Sequence, residues 1–225
     1  MQLTVPIFNS RPDKLNKYLE SEAKSFIFAA LSPAFLDKNG LEFLDEIEIP
    51  LKPEDILEMQ KGGLDVNRLA DNMSVILGVN TKFPHADAYI RFLKKYYTEQ
   101  LCHVLCSKGR DALLTHGWRR ACIYFRAALM LFPSDKDAMF GYASTCREWY
   151  LSLEGEDDQD ELISVLKAES TAYFEYLVLE HPDFAIPYYY LGFAYLNSAL
   201  YSKTAAVWKR FMTLTEADNA DAAGA

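Results

Sequence analysis

Apolar residues recur every three or four positions along most of this chain, which is the spacing of a helix with one buried face. One stripe runs from Leu15 to Ala30 and is closed by Pro33, and another begins at Val66 and stops at Gly78. Prolines and glycines divide the remainder in the same way. The pattern predicts helices at about 15–30, 53–61, 66–77, 86–105, 118–131, 136–152, 160–180, 184–198 and 201–214.

One short segment has the alternation of a strand instead. In residues 46–49 a charged residue and an aliphatic residue alternate, so the aliphatic side chains would share one face of an extended chain. A strand of this length needs a partner, and the sequence offers no evident one. We therefore expect an extended connector ahead of Pro50, with a β-bridge as the alternative. The predicted fold class is all-α.

Two of the predicted helices that end at a proline share one internal spacing. Each has a small residue, then an aromatic, an aliphatic and a proline, each four positions after the one before. A small residue lets two helices approach closely, while the aromatic ring fills the space beside it. The matching positions are Ala121, Phe125, Leu129 and Pro133 in one helix and Ser170, Phe174, Val178 and Pro182 in the other.

The last predicted pair of helices carries a related set of positions. Its first helix contains Tyr188, Leu191, Gly192 and Tyr195, and its second helix contains Trp208. This order resembles the tetratricopeptide repeat family, whose unit is an antiparallel helix pair of about 34 residues with small and aromatic residues at fixed places. The resemblance implies an antiparallel array of helical hairpins, stacked as a short α-solenoid.

The resemblance covers about half of the chain, as three copies. They span about 102–133, about 136–182 and about 185–214, and the acidic run 154–161 lengthens the middle copy. This run is expected to be a solvated loop that leads into a helix start.

The copies depart from the family pattern in three respects. Lys108 stands where a leucine is usual, and Phe211 stands where the family prefers alanine. Few residues follow the last copy, so the capping helix that the family usually adds is not expected, and an apolar face would be left exposed.

The predicted organisation has three parts. Residues 1–100 form a helical N-terminal region in which no repeat is recognised, residues 101–216 form the repeat region, and residues 217–225 form a flexible tail. Members of the family bind other proteins in the groove lined by the first helix of each pair. We therefore expect a non-catalytic interaction module that binds a peptide or helix of a partner protein. Carried onto this chain, the groove residues are Phe140, Ser144, Arg147, Glu148, Tyr189, Phe193, Leu196 and Asn197.

Charge and composition narrow the partners and the location. The formal net charge of −9 argues against binding to nucleic acid or to an anionic membrane surface. Residues 1–8 contain no basic residue and no long apolar run, so no secretory signal is expected there. The four cysteines show no disulfide spacing, which favours a cytoplasmic protein.

Candidate chemistry is sparse. Cys102 and Cys106 share a helical face, but neighbouring His103 points away from them, so buried thiols are expected rather than a metal site. No phosphate-binding glycine pattern, nucleophile elbow or zinc-protease motif is present, and no cofactor is expected.

Two alternatives to the interaction module stay open. The chain could self-associate, as a homodimer, through the uncapped end near Trp208 and Phe211. It could also be an enzyme with an unrecognised site between residues 1–100 and the repeats.

Overall fold

The computed structural model describes residues 12–60, 63, 65–96 and 100–223, with the side chains of all of these except Gln60 and residues 217–223. Residues 1–8, where no secretory signal is expected, lie outside this range. The chain forms two compact units, Met1–Pro133 and Ser134–Ala225. The all-α prediction is confirmed, with one small two-stranded sheet as the exception.

The first unit holds one short sheet among seven helices of its described residues. In chain order its elements are α1 (Asn16–Leu19), β1 (Ile27–Ala30), α2 (Pro33–Asn39), β2 (Glu48–Leu51), α3 (Pro53–Gln60), α4 (Val66–Val79), α5 (Ala86–Tyr96), α6 (Gln100–Leu114) and α7 (Trp118–Leu131).

The helix predicted for residues 15–30 is wrong. Only α1 and a 3₁₀ turn form there, and residues 27–30 are a strand that pairs antiparallel with β2, with Ile27 opposite Leu51 and Ala30 opposite Glu48. Residues 48 and 49 of the extended connector expected at 46–49 thus belong to a sheet, which is closer to the β-bridge alternative. Aromatic and β-branched residues suit a pleated strand, and the partner that the pattern could not identify lies upstream in the chain.

Pro33 begins a helix rather than closing one. Ser32 is extended and its side chain accepts a hydrogen bond from the Phe35 amide, which caps the first turn of α2. Proline is suited to this first helical position because its missing N–H group needs no partner. Gly40 then ends α2 in the left-handed conformation, with φ of 61°.

The core of the first unit centres on α4. This helix packs on β2, α5 and α7, and the buried side chains Leu69, Met73 and Leu77 lie along it. Gly78, predicted to stop this helix, lies inside it: a Cβ atom there would sit 2.0 Å from the backbone oxygen of Ile123. The glycine therefore allows α4 and α7 to cross in close contact.

A buried ion pair fixes the start of the described chain to this core. Arg126 on α7 is fully buried and pairs with Asp13, while its Nε donates to the Gly78 carbonyl oxygen at 2.6 Å. Thr81 donates to the same carboxylate at 2.8 Å. Burial alone would raise the pKa of Asp13, but the Arg126 charge and hydrogen bonds from Arg126, Thr81 and the Asn16 backbone outweigh it and leave the pKa lowered.

The second unit consists of four helices in its described residues. They are α8 (Lys136–Leu153), α9 (Asp160–Glu180), α10 (Ala185–Asn197) and α11 (Tyr201–Ala223), and each packs on the next one in the chain. The predicted bounds for these helices are confirmed to within a residue or two, except at the end of α11. That helix continues through most of the segment expected to be a flexible tail, because its sequence contains no glycine or proline until Gly224.

The boundary between the units differs from the predicted one near residue 100. The α6–α7 pair packs internally as expected, since a Cβ atom on Gly109 would lie 2.8 Å from the Phe125 ring. However, α7 also packs on α4, so this pair belongs to the first unit. None of the helices within the described ranges is both long enough and apolar enough to cross a bilayer.

Candidate functional site

All eight predicted groove residues lie in the second unit. Four are on α8 and four are on α10, the two helices that flank α9 in sequence. Their surroundings differ. Some make ring contacts or line a cavity, and others have neither ring contacts nor a place in the cavity lining. The eight are Phe140, Ser144, Arg147, Glu148, Tyr189, Phe193, Leu196 and Asn197.

Five rings make a continuous line along α8 and α10, which we call the aromatic strip: Phe184, Phe140, Tyr190, Tyr189 and Phe193. Successive ring centroids are 5.3, 6.2, 5.6 and 5.0 Å apart. All five side chains stay at least partly accessible to solvent, and Tyr189 is 38% exposed. Rings at these separations attract one another beyond the area they bury.

One end of the strip is fixed by α11. The ring of Phe193 lies 5.3 Å from that of Trp208, whose indole N–H donates to the Tyr189 carbonyl oxygen at 3.2 Å. The indole covers Gly192, where a Cβ atom would lie 1.7 Å from Nε1 of Trp208. Phe193 thus contributes both to the packing of α10 on α11 and to the aromatic strip.

The consecutive tyrosines Tyr188, Tyr189 and Tyr190 diverge, as expected from the rotation of 100° per helical residue. Tyr188 is buried and donates to the Pro182 carbonyl oxygen at 3.0 Å. Tyr189 is partly exposed beside Phe193 and Phe211, and Tyr190 stacks on Phe174 at 5.1 Å.

An open cavity of about 130 Å³ lies beside the strip, between α8, α9 and α10. We call it the groove pocket. An apolar cavity of about 150 Å³ holds a benzene molecule, so the groove pocket is of the size that takes one side chain. Six of its ten lining residues are polar or charged, three are aromatic and one is alanine: Arg147, Tyr150, Lys167, Ser170, Thr171, Phe174, Tyr190, Ala194, Asn197 and Ser198.

Two cations border the groove pocket. The Arg147 guanidinium lies 5.0 Å from the centre of the Tyr190 ring, and the Lys167 ammonium lies 5.1 Å from that of Tyr150. Cations over aromatic faces are stabilised by the ring quadrupole. Burial raises the pKa of the Tyr150 phenol, although the Arg147 charge acts in the opposite direction.

Each of these cations also contacts an exposed carboxylate. Arg147 pairs with Glu148 at 2.7 Å, and Lys167 pairs with Glu154 at 3.4 Å. Both carboxylates are half exposed, so the pairs are weak and exchangeable.

The remaining predicted groove residues lie off the groove pocket. Glu148 and Leu196 are exposed and outside its lining, and Ser144 is half-buried on α8. The Oγ atom of Ser144 is buried without a hydrogen-bond partner among the described residues.

Most of the pocket lining was not predicted from sequence. Lys167, Ser170 and Thr171 belong to α9, the second helix of a pair, whereas the prediction considered first helices alone. The helical period could have identified them, because residues three and four positions apart lie on the same face of α9.

Two small polar cavities, of about 80 and 200 Å³, lie among the described residues of the first unit and share Lys52 and Asp71 in their linings. Asp71 pairs with Lys108, and Arg68 contacts the buried Asp55 at 3.3 Å. Charges of both signs line these cavities in equal number and contact one another, as in a structural network. They therefore offer less to a ligand than the groove pocket does.

Of the residues weighed for metal chemistry, the cysteines are buried and His103 is exposed. All four cysteines lie inside the fold and form no disulfide among the described residues, and cysteine is commonly buried in this way as a small apolar side chain.

The chain was compared with known proteins. No family model matches it, and the search of curated proteins found no match.

Proposed function

We propose that the second unit is a non-catalytic, cytoplasmic interaction module that binds a peptide or helix of another protein along α8, α9 and α10. The observation that carries this proposal is the aromatic strip, which remains partly accessible beside a pocket of side-chain size. Accessible aromatic residues and arginine dominate the energetics of protein interfaces.

The proposal includes a tetratricopeptide-like arrangement of the hairpins. Two contacts between a glycine and a ring support it, Gly109 with Phe125 and Gly192 with Trp208. The consecutive packing of α8, α9, α10 and α11 supports it as well. In such an array the first helices α8 and α10 share a surface, which is where the aromatic strip lies.

Binding would proceed by burial of apolar side chains on a prepared surface. The rings of Phe140 and Tyr190 are held by Phe174 and Phe184, so little rotamer entropy is lost when a partner covers them. Tyr189 and Leu196 add apolar area at the open side. One partner side chain would enter the groove pocket and fix the register of the segment.

Self-association through the end of the repeats has less support. Trp208 and Phe211, expected near such a contact, lie against α10: the Phe211 ring is 5.3 Å from that of Tyr189. The outer face of α11 carries Tyr201 and Met212 as exposed large apolar residues, interspersed with small and polar ones.

A display experiment with short random peptides tests the proposal. The full-length chain is used to select peptides, and their affinities are measured by fluorescence anisotropy. Ala194→Met places a long side chain into the groove pocket and should weaken the selected peptides at least about tenfold, a loss of about 1.4 kcal/mol. The matched control is Ala206→Met, on the exposed face of α11, which should leave the affinity unchanged.

Two outcomes contradict the proposal. One is that no peptide is selected above background. The other is that the selected peptides bind Ala194→Met and Ala206→Met equally well, which would place their site elsewhere on the chain.

A further inference from the structure

We infer that the groove pocket receives an acidic side chain, Asp or Glu, of the bound segment, and that Glu148 and Glu154 occupy its two cations when no partner is present. This inference rests on the proposed function, since it names the chemistry of the segment that the groove would bind. It also assigns a regulatory role to two acids that do not line the pocket themselves.

The shape and lining of the pocket favour one anionic group. Arg147, Lys167 and Asn197 supply hydrogen-bond donors from three different helices, and the hydroxyl group of Ser170 adds another. The Thr171 hydroxyl already donates to the Lys167 carbonyl oxygen at 2.8 Å. Among the residues that line the pocket, no carboxylate is present. The pocket thus offers several hydrogen-bond donors and no carboxylate of its own, so a carboxylate of the bound segment suits it.

The two cations at the pocket also favour an acidic side chain of the partner. The chain as a whole has a formal net charge of −9, so an acidic partner would be repelled by most of its surface. The groove pocket is a place where a guanidinium and an ammonium border one cavity. An acidic side chain would therefore be accepted in one register, which gives specificity rather than general attraction.

Glu148 and Glu154 occupy the cations from outside the pocket. The Arg147–Glu148 pair joins neighbouring residues of α8, and both carboxylates are about half exposed. Exposed pairs of this kind contribute little to stability and are readily exchanged. An incoming acid that is partly desolvated against Tyr150 and Tyr190 would form the stronger hydrogen bonds and displace them.

The displacement predicts effects of opposite sign. Arg147→Met should weaken an acidic peptide about 10- to 100-fold, and Lys167→Met about two- to tenfold, because charge-assisted hydrogen bonds are lost. Glu148→Gln and Glu154→Gln should tighten the same peptide about two- to fivefold, since each removes a competing carboxylate without changing the shape of the side chain. A purely structural role of the two acids would not tighten binding.

The test uses the full-length chain and the peptides selected from the random library. The expected result is an enrichment of Asp or Glu at one position, a loss of affinity when that residue becomes Gln or Asn, and the opposite signs for the Arg147 and Glu148 variants. Thermal unfolding of each variant checks that the fold is kept. A peptide with phosphoserine at the same position is the comparison for a phosphate group.

Each other outcome overturns a different statement. Peptides that bind at the groove pocket, as shown by Ala194→Met, without a preferred acid or without a response to Arg147→Met would overturn this inference and leave the proposed function standing. Glu148→Gln and Glu154→Gln variants that bind no more tightly would overturn the role given to these acids. A phosphoserine peptide more than about tenfold tighter than the Glu peptide would reassign the pocket to phosphate. If no peptide is selected, the proposed function fails and the inference fails with it.

Discussion

The two units are stabilised by contacts of different range along the chain. In the first unit, polar groups far apart in sequence meet in the interior, as Arg126 meets Asp13 and the Tyr89 hydroxyl donates to the Glu48 carbonyl oxygen at 2.7 Å. In the second unit, each helix packs on its neighbour in sequence, largely through aromatic rings. The difference bears on where function is sought: in the second unit, rings and cations border an open pocket, whereas in the first the charges that line its cavities contact one another.

The largest effect is expected at the buried ion pair. Arg126→Met would leave the Asp13 carboxylate buried without its cation, which costs about 3–5 kcal/mol of unfolding free energy. Urea unfolding with fluorine NMR of fluorotryptophan-labelled protein measures it, because Trp118 lies in the first unit and Trp149 and Trp208 lie in the second. The Trp118 signal should shift to lower urea. An equal shift of all three signals would show that the units do not unfold separately.

Alanine substitutions at Gly78 and Gly192 allow a direct comparison of the two units. Gly78→Ala pushes a methyl group against the backbone of Ile123, and Gly192→Ala pushes one against the Trp208 ring. Backbone yields less than a side chain, so we expect losses of about 2–3 kcal/mol for the first substitution and about 1–2 kcal/mol for the second. Gly63→Ala is the control, because its methyl group would meet only an oxygen at 3.9 Å. If chemical denaturation shows a larger loss of unfolding free energy for Gly192→Ala than for Gly78→Ala, the comparison is contradicted.

Acid should weaken the first unit through Asp13. Its folded pKa lies below the ordinary value, so its contribution is present at neutral pH and is lost as the pH falls from about 4 through the folded pKa. The urea midpoint of the Trp118 signal should therefore fall more steeply in wild type than in the Asp13→Asn, Arg126→Met double variant. Parallel curves for the two proteins would show that other carboxyl groups cause the loss.

The smallest effect is expected at an exposed pair of the second unit. Arg210 contacts Asp183 at 3.1 Å, and the Asp183 side chain is 88% exposed. Arg210→Gln should change the unfolding free energy by less than about 1 kcal/mol. A larger loss in urea unfolding would mean that the hydrogen bond from Arg210 to the Pro182 carbonyl oxygen stabilises the α9–α10 turn substantially.

The same contrast explains what the sequence could predict. The bounds of α8, α9 and α10 were predicted almost to the residue because their caps and contacts are local: Asp135 caps α8, and Pro182 follows α9. The small sheet was missed because β1 and β2 are far apart in sequence and each is four residues long. Helical period alone cannot show that Phe28 pairs with Pro50.

The site was predicted in part for a related reason. Positions on α8 and α10 followed from the repeat pattern, and Arg147 and Asn197 do line the groove pocket. Lys167 was missed because only the first helix of each pair was considered. Tyr190 was missed because the repeat pattern does not show that its ring stacks on Phe174 of α9.

Chemical-shift mapping on the full-length, ¹⁵N-labelled chain tests the central claim most directly. A peptide selected from the random library is titrated in, and the amide shifts are followed. The account predicts shifts concentrated on α8, α9 and α10 around Arg147, Lys167 and Asn197, absent in Ala194→Met and retained in Ala206→Met. Shifts confined to residues before Ser134, or to the outer face of α11, would contradict it.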